Sequence, residues 1–305
     1  MENLPFVSII FPTRNRAELT LATLASLQEL DYPKERLEIL IWDNGSTDGS
    51  PARLREALED MGSDGWWNLR LVEHQTNLGV GPARDRAFRL RDERAAYILC
   101  IDDDVELAPD CLRQMVAVFA AHPQAGVVGA RVVYFDRPEE IQSAARYMNR
   151  ITGRFTMKDP DIPTECDSVI GCGQLIKADA FNSVDGFDYT FYTDHEEVDF
   201  CLRLKEHGYG IYFAPGALIK HKVAPGGRRT PERIYYTYRN KIILLRRHTK
   251  GLGRLVAIGG HVLLGIPKAY VDAVRHHRGL RGVEWSIIGR AFWDGLRGDA
   301  SWRDF

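Results

Sequence analysis

Over its first hundred residues, this chain alternates short runs of β-branched and aromatic residues with segments of helical periodicity. The strand-type runs cover residues 6–11, 37–42, 69–73 and 97–101, and the helix-type segments cover residues 17–30, 50–60 and 81–91. This alternation predicts an α/β fold in which a mostly parallel central sheet is flanked by helices. Because ligands bind beyond the carboxyl ends of strands in such sheets, the residues after each strand are the first candidates for chemistry.

The pattern becomes less regular after residue 101. Residues 136–165 lack a clear period and are interpreted as a loop-rich insertion over the ligand crevice. Further strands are predicted over residues 127–134, from Val169 to the glycine pair Gly171 and Gly173, and over 174–177, 211–213 and 217–221. Further helices are predicted over residues 110–121, 196–207, 231–247, 252–274 and 283–296, and the C-terminal ones are amphipathic.

The composition is that of a soluble globular protein, since 45% of the 305 residues are hydrophobic and 27% are charged. The charge is divided unevenly along the chain. Residues 1–219 hold 22 Lys and Arg against 36 Asp and Glu, a net charge of −14, whereas residues 220–305 hold 18 against 6, a net charge of +12. An acidic body therefore precedes a basic tail.

The cysteines and the N-terminal residues indicate the cellular compartment that the sequence favours. Five cysteines without CxxC spacing argue against a disulfide framework and a structural zinc site, and they favour a reducing environment. The N-terminus lacks the pattern of a secretory leader, and the apolar run at 255–267 is too short to cross a bilayer. The sequence therefore predicts a cytoplasmic protein without a transmembrane helix.

Three consecutive carboxylates, Asp102, Asp103 and Asp104, follow the apolar strand at 97–101. Adjacent carboxylates repel one another unless a cation lies among them, and oxygen ligands suit Mg²⁺ or Mn²⁺. The alternative is a solvated acidic turn that caps the next helix. The position at the end of a parallel strand favours the metal site.

Two further loops are rich in turn-forming residues. Asp43 follows directly after a strand, and its carboxylate could accept hydrogen bonds from a base or a ribose, although a turn before a helix explains much of the segment 43–50. The segment 77–84 offers backbone amides at a helix start, together with Arg84, to an anion. It matches neither a Walker phosphate loop nor the GxGxxG spacing of a dinucleotide fold.

Six motifs occur in an order that resembles a known family. They are VSIIFPTRN at 7–15, DNGS at 43–46, NxG at 77–79 with Ala83-Arg84, DDD at 102–104, GxG at 171–173, and GFD at 186–188 leading into HEEVD at 195–199. Together they are similar to the motifs of the family 2 inverting glycosyltransferases, which have a GT-A fold. The resemblance covers residues 5 to about 245, so it implies a sugar-transferring enzyme over most of the chain.

The resemblance also implies roles for single positions. The residues that would contact the nucleotide-diphosphate sugar donor are Pro12, Thr13, Asn15, Asp43, Asn77, Gly79, Arg84, Asp102 and Asp103. Asp104 would bind Mn²⁺ or Mg²⁺, and His221 matches a family histidine near the metal or diphosphate. A histidine at the surface end of a strand is the alternative for His221.

Glu197 lies where the family places its catalytic base. The family more often has Asp there, within a Glu-Asp pair, so Glu196 remains the second candidate; either glutamate could instead be a helix N-terminal acid stabilised by the helix dipole. Acceptor contacts are expected from Gly171, Cys172, Gly173 and Asp188. The implied chemistry needs a base for the acceptor hydroxyl and neutralisation of the leaving diphosphate.

The expected organisation is a GT-A catalytic domain over residues 1–230, with a nucleotide-binding half at 1–105 and an acceptor half at 106–230. A basic helical region follows over residues 231–305. Its aromatic and basic helices suit an anionic membrane surface, or they pack on the acidic body or on a second copy. No nucleic-acid motif accompanies the charge, so no nucleic-acid partner is expected.

The donor is expected to be a UDP- or dTDP-sugar and the acceptor a glycan or a lipid-linked glycan, in cell-surface polysaccharide synthesis at the inner face of the cell membrane. A sugar nucleotidyltransferase is an alternative, but the loop Pro12–Asn15 lacks the glycines that such enzymes carry after the first strand. A non-catalytic module that binds sugar nucleotides or membrane is the third possibility.

Overall fold

A computed structural model of the chain describes residues 4–222, 230–268, 271 and 283–302. Its strands are β1 Val7–Thr13, β2 Leu37–Asn44, β3 Asn68–His74, β4 Tyr97–Cys100, β5 Val105–Leu107, β6 Ala125–Tyr134, β7 Arg137–Ser143, β8 Ala145–Met148, β9 Phe155–Lys158, β10 Thr164–Cys166, β11 Gln174–Lys177 and β12 Gly210–His221. Its helices are α1 Ala17–Gln28, α2 Ser50–Met61, α3 Val80–Arg89, α4 Cys111–Ala121, α5 Ala178–Ser183, α6 Glu196–Glu206, α7 Pro231–His248, α8 Gly251–Gly260 and α9 Val283–Arg297.

One large sheet organises the molecule, with the strand order β10-β12-β6-β11-β4-β1-β2-β3. Strands β3, β2, β1 and β4 are mutually parallel, as the alternating pattern of the first hundred residues predicts. Strand β11 runs antiparallel to both β4 and β6, so the second half of the sheet is mixed. The parallel half brings the carboxyl ends of β1, β2 and β4 to one edge.

The core lies on both faces of this sheet. In β1, Ile9 packs in one apolar layer and Ile10 in the other, and both are fully buried. Neighbouring β2 repeats the arrangement with Ile39 and Leu40. Burial on two faces explains why these strands read as continuous hydrophobic runs and not as alternating patterns.

The prediction of a loop-rich insertion over residues 136–165 is wrong, because this segment contains strands β7, β8 and β9 and most of β10. Strand β7 pairs with β6 through two register shifts and is largely exposed, while β8 and β9 form a separate two-stranded ribbon. Exposed edge strands and ribbons need no regular apolar face, so their sequence shows no clear period of two.

Smaller differences concern other segments of the sheet and its helices. The strand expected from Val169 is not formed, since Gly171–Gly173 make a single 3₁₀ turn that leads into β11. The strands expected at 211–213 and 217–221 are one continuous strand, β12, with an irregularity between Ala214 and Leu218. Short strand β5 and helix α5 are not foreseen in the sequence pattern.

Two of the C-terminal helices, α7 and α9, pack against each other. Helix α7 begins with Pro231 after Thr230, whose side chain accepts a hydrogen bond from the Arg233 amide at 3.2 Å. It packs against α9 through a cluster that includes Tyr235 and Ile288. A π-helical turn, His261–Gly265, follows α8, and residues 269–270 and 272–274 of the helix predicted over 252–274 lie outside the described residues.

None of the helices among the described residues combines the length and the hydropathy needed to cross a bilayer.

Candidate active site

The carboxyl end of β4 forms the centre of the site. Asp103 is buried and accepts hydrogen bonds from Thr13 Oγ1 and Arg16 Nη1, each at 2.8 Å. The same Arg16 nitrogen lies 3.0 Å from Asp104 Oδ2. Burial raises the pKa of Asp103 to about 6, and Arg16 opposes this rise. Asp103 thus joins the ends of β1 and β4 and contacts the predicted donor residue Thr13.

His221 reaches this centre from the other half of the sheet. It ends β12 and stands opposite Val105 in the antiparallel pairing with β5, which begins directly after the three aspartates. Its Nε2 lies 2.9 Å from Asp104 Oδ1 and 3.8 Å from Asp102 Oδ2. Although burial disfavours the charged imidazole, the hydrogen bond to Asp104 raises the pKa of His221 to about 11. The alternative of an isolated surface histidine does not hold, because His221 is buried against these carboxylates.

These residues form a donor set that fits a hard divalent cation. Asp102 and Asp104 supply carboxylate oxygens, and His221 supplies an imidazole nitrogen to the same point. Oxygen donors with one imidazole suit Mn²⁺ or Mg²⁺. Both carboxylates face His221 Nε2, so negative charge is concentrated at this position.

The loops after β1, β2 and β3 are tied together beside this centre. Asn15 accepts a hydrogen bond from the Thr47 amide at 2.8 Å, and its own amide donates to Ser46 Oγ at 2.9 Å. Asp43 accepts from the Ser46 amide at 3.0 Å and also from the Ser46 hydroxyl. The turn interpretation of this segment is therefore correct, and the same turn holds Asp43 at the strand end.

Asn44 is a site residue that the sequence analysis did not single out. Its side chain donates to Asn77 Oδ1 at 2.9 Å and accepts from the Leu78 amide at 3.0 Å, which fixes the loop before α3. Gly79, with φ of 82°, ends this loop, and a Cβ there would lie 2.5 Å from the Tyr192 ring. The signal for Asn44 was present in the DNGS motif.

Arg84 connects the aspartates to α6. Its guanidinium is buried and contacts Asp102 as well as Glu196, the latter at 2.8 Å. Gly171 gives it room, because a Cβ at Gly171 would lie 2.6 Å from Arg84 Nη1. The Nε atom of Arg84 is buried without a hydrogen-bond partner among the described residues. Arg84 therefore links the two acidic parts of the site.

The two glutamates at the start of α6 differ in their surroundings. Glu196 has a side chain that is 5% exposed beside Arg84, and burial together with the charge of Glu197 raises its pKa to about 8. Glu197 is 12% exposed and lies 3.0 Å from Arg146 Nη2. Burial opposes ionisation of Glu197, but Arg146 and His195 lower its pKa below the ordinary value.

Arg146 was missed by the sequence analysis, because it lies on β8 within the segment interpreted as loops. A lone arginine in an aperiodic segment gives no signal of its role. Only the fold brings it to Glu197, and it also donates to the Val169 carbonyl at 2.7 Å.

The expected acceptor residues lie in two places. The turn Gly171–Gly173 adjoins the centre, with Cys172 Sγ 3.7 Å from His221 Nδ1. Asp188 instead accepts from the Thr190 amide at 2.7 Å and pairs with Arg247 of α7 at 2.7 Å. The structure therefore brings the Gly171 turn to the cation donor set, whereas the Asp188 carboxylate binds α7.

Comparison with protein families gives the relationship of the chain. The family model described as glycosyl transferase family 2 matches residues 8–184, and a second, glycosyl transferase family group 2, matches residues 97–295. The chain belongs to glycosyl transferase family 2. The expectation of a glycosyltransferase is thereby confirmed at the level of the family.

Relatives in this family include an uncharacterized protein, y4gI, from Sinorhizobium fredii, which is 26% identical over 265 residues. The match covers 82% of this chain but 28% of that protein, so the chain corresponds to only part of its length. The N-acetylglucosaminyl-diphospho-decaprenol L-rhamnosyltransferase of Mycobacterium tuberculosis is 25% identical over 256 residues, with coverage of 75% of this chain and 78% of the relative.

The fold of this family member also matches solved structures. A mannosyltransferase from Pyrobaculum calidifontis, in complex with GDP-Man and Mn²⁺, has a TM-score of 0.63 and 18% sequence identity. The match covers 98% of this chain and 89% of that protein. The expected GT-A fold, an α/β fold with a central sheet flanked by helices, is confirmed.

Proposed function

We propose that this chain is a metal-dependent inverting glycosyltransferase that moves a sugar from a UDP- or dTDP-sugar to a glycan or lipid-linked acceptor in cell-surface polysaccharide synthesis. One observation carries the proposal: Arg84 contacts both Asp102 of the cation donor set and Glu196 beside the candidate base. In a transfer reaction, the base that activates the acceptor must lie close to the sugar carbon of the donor, so the donor site and the base need to be neighbours. The mannosyltransferase in complex with GDP-Man and Mn²⁺ and the rhamnosyltransferase relative support the same chemistry.

In this proposal, the half at 1–105 binds the donor. Asp43 and Thr13 hold the base and ribose, with Asn15, Asn77 and Gly79 shaping the pocket. Pro12 and Arg84 lie along the same edge, and Asp102 or Asp103 contacts the ribose. Asp103 serves chiefly to fix this edge, because its oxygens already bind Thr13 and Arg16.

Asp104 and His221, with Asp102, hold the divalent cation. When bound, Mn²⁺ or Mg²⁺ neutralises the negative charge on the departing diphosphate. Arg16 adds a fixed positive charge at Asp103 and Asp104. Arg16 and the bound cation therefore offset the negative charge of the three aspartates where the diphosphate binds.

Glu197 acts as the base that removes the proton of the acceptor hydroxyl. Its partial exposure gives the acceptor access, and Arg146 keeps the carboxylate ionised. Glu196 is the positioning partner, since its carboxylate binds Arg84 inside the protein. The half at 106–230 supplies the acceptor contacts through the Gly171, Cys172 and Gly173 turn, with Asp188 bracing the adjacent segment against α7.

Helix α8 is the proposed contact with the membrane, at the cytoplasmic inner face. Its exposed side chains include Leu252 at 76% and Leu255 at 70%, and Leu263 and Leu264 follow at 74% each. The cations Lys250, Arg254 and Lys268 are exposed in the same segment. Leucines beside lysines and an arginine match the acyl boundary and headgroups of an anionic bilayer.

Titration calorimetry tests the proposal. The purified protein is titrated with UDP, dTDP and GDP, each with and without Mn²⁺, and metal-dependent binding of one nucleotide is expected. Asp104→Ala should lose the metal-dependent part, while the exposed control Asp136→Ala should retain it. A folded protein that binds none of the nucleotides with Mn²⁺ would contradict the assigned function.

A further inference from the structure

A buried thiol lies next to Nδ1 of the His221 ring. Cys172 is 1% exposed, and its Sγ lies 3.7 Å from His221 Nδ1, whereas Asp104 contacts Nε2. One possible ligand atom each from Asp102, Cys172 and His221 lies within 4.8 Å of the others. The turn that carries Cys172 is assigned to acceptor contacts, but no step of the proposed transfer uses its sulfur.

The spacing of sulfur and nitrogen matches that of two ligands sharing one ion. In tetrahedral zinc sites, bonds of about 2.3 Å to sulfur and about 2.0–2.1 Å to nitrogen place the two ligand atoms about 3.6 Å apart. The observed separation of 3.7 Å is close to this value. His221 Nδ1 also lies 2.9 Å from Gln142 Oε1. An ion that binds to Nδ1 takes the place of this hydrogen bond.

The turn that carries the thiol is held closely. A Cβ at Gly171 would meet Arg84, and a Cβ at Gly173 would lie 3.0 Å from Ile219 of β12. The backbone on both sides of Cys172 therefore packs closely against Arg84 and β12. The sulfur is therefore positioned by packing, so no loop rearrangement is needed to bring it to the histidine.

The chemistry of this group differs from that of the hard-cation donor set. Mg²⁺ and Mn²⁺ prefer oxygen donors, whereas a thiolate with imidazole selects ions such as Zn²⁺. We propose that Asp102, Cys172 and His221 bind a thiophilic divalent cation, Zn²⁺ in the first place. Because Asp102 and His221 also belong to the hard-cation set, the two cations exclude each other; only this exclusion rests on the proposed function.

Binding is balanced in protons. The S–H bond of Cys172 and the Nδ1–H bond of the His221 imidazolium break, a sulfur–metal and a nitrogen–metal bond form, and two protons pass to the buffer. No oxidant or reductant is involved. A rise in pH therefore strengthens zinc binding at this site.

Cobalt provides a direct probe, since Co²⁺ takes the place of Zn²⁺ and a thiolate ligand gives it a near-ultraviolet charge-transfer band. The full chain, kept reduced, is titrated with Co²⁺ without nucleotide, and a band that saturates at one equivalent and is abolished by Zn²⁺ is expected. Cys172→Ala should lose the band, whereas Cys111→Ala, which removes another buried thiol in α4, should keep it. Circular dichroism confirms that both variants are folded.

Absence of the band in the wild-type protein would overturn the site, whatever the variants do, and so would a band that persists in Cys172→Ala. Saturating Mn²⁺ should reduce the band at least tenfold at limiting Co²⁺, and an unchanged band would overturn the exclusion. Because these spectra need no nucleotide, they can fail or succeed independently of the proposed transferase activity.

Discussion

Glu196 and Glu197 are adjacent in the sequence, but their carboxylates have different partners. Arg84 binds Glu196 in the interior, where burial raises the pKa of Glu196 to about 8. Arg146 binds Glu197 at the edge of the site, where the pKa of Glu197 is lowered despite burial. A base that accepts a proton must be ionised and accessible, so these surroundings favour Glu197.

Replacement of Arg146 tests how Glu197 is kept ionised. Arg146→Met removes the nearest positive charge, so the pKa of Glu197 should rise and the acidic limb of the rate profile should move to higher pH. The measurement is kcat/KM against pH for the wild-type protein and the variant. Arg150→Met removes a more exposed arginine nearby, 3.7 Å from Asp167, and should leave the limb in place. Coincident limbs for the wild-type protein and Arg146→Met would refute this role.

At the scale of elements, helix α6 is joined to α7 by a buried ionic cluster. Asp199 is fully buried and lies 2.7 Å from Arg203 Nε, 3.3 Å from Arg247 Nη1 and 2.9 Å from His248 Nε2. Burial opposes the charge, but His248 and the arginines lower the pKa of Asp199. The cluster fixes the helix that carries both glutamates.

Asp199→Asn should lower the free energy of unfolding by about 3–5 kcal/mol, because it leaves the buried partners without their counter-charge. The folded-state pKa of Asp199 lies below the unfolded value of about 4, so its contribution is full above that pH and disappears as the pH falls through the folded value. Urea unfolding at neutral and acidic pH measures both effects.

The control for this prediction is Asp185→Asn. Asp185 pairs with Arg89 at 3.0 Å, but its side chain is 90% exposed, so the loss should stay below about 1 kcal/mol. Equal losses for the two variants would show that the Asp199 cluster does not stabilise the α6–α7 contact.

Among these elements, the parallel strands could be predicted from the sequence, whereas the contact made by β8 could not. The parallel strands were predictable because burial on both faces gives unbroken hydrophobic runs, and their polar ends located Thr13, Asp43 and the three aspartates. Arg146 was not predictable, since β8 is only four residues long and its two buried residues, Ala145 and Met148, do not alternate with exposed ones. Its contact with Glu197 spans 51 positions, and no local pattern encodes it.

At the scale of the whole molecule, part of the basic tail neutralises the acidic body. Arg239 of α7 is fully buried and donates to the carbonyls of Thr190 and Ser301, while Arg247 pairs with Asp188 and Asp199. The interpretation that tail helices pack on the body therefore holds for α7. Helix α8 is different, because its leucines and cations remain exposed.

This exposed surface of α8 should bind membranes. The double variant Leu252→Glu, Leu255→Glu should weaken cosedimentation with phosphatidylglycerol vesicles more than tenfold, since each buried leucine contributes about 1.5–3 kcal/mol. The matched control Met157→Glu, Ile162→Glu alters two other exposed apolar side chains and should bind like the wild-type protein. Equal sedimentation of all three proteins would argue against α8 as the membrane contact.

The most direct measurement of the central claim compares Glu197→Gln with the wild-type protein. Each is incubated with Mn²⁺, a panel of UDP- and dTDP-sugars and a lipid-linked glycan acceptor; glycosylated acceptor is measured by mass spectrometry and nucleotide affinity by calorimetry. The account predicts acceptor-dependent transfer by the wild-type protein, a loss of about 10²–10⁴-fold in Glu197→Gln, and nucleotide affinity unchanged within twofold. Transfer by Glu197→Gln at the wild-type rate would contradict the account.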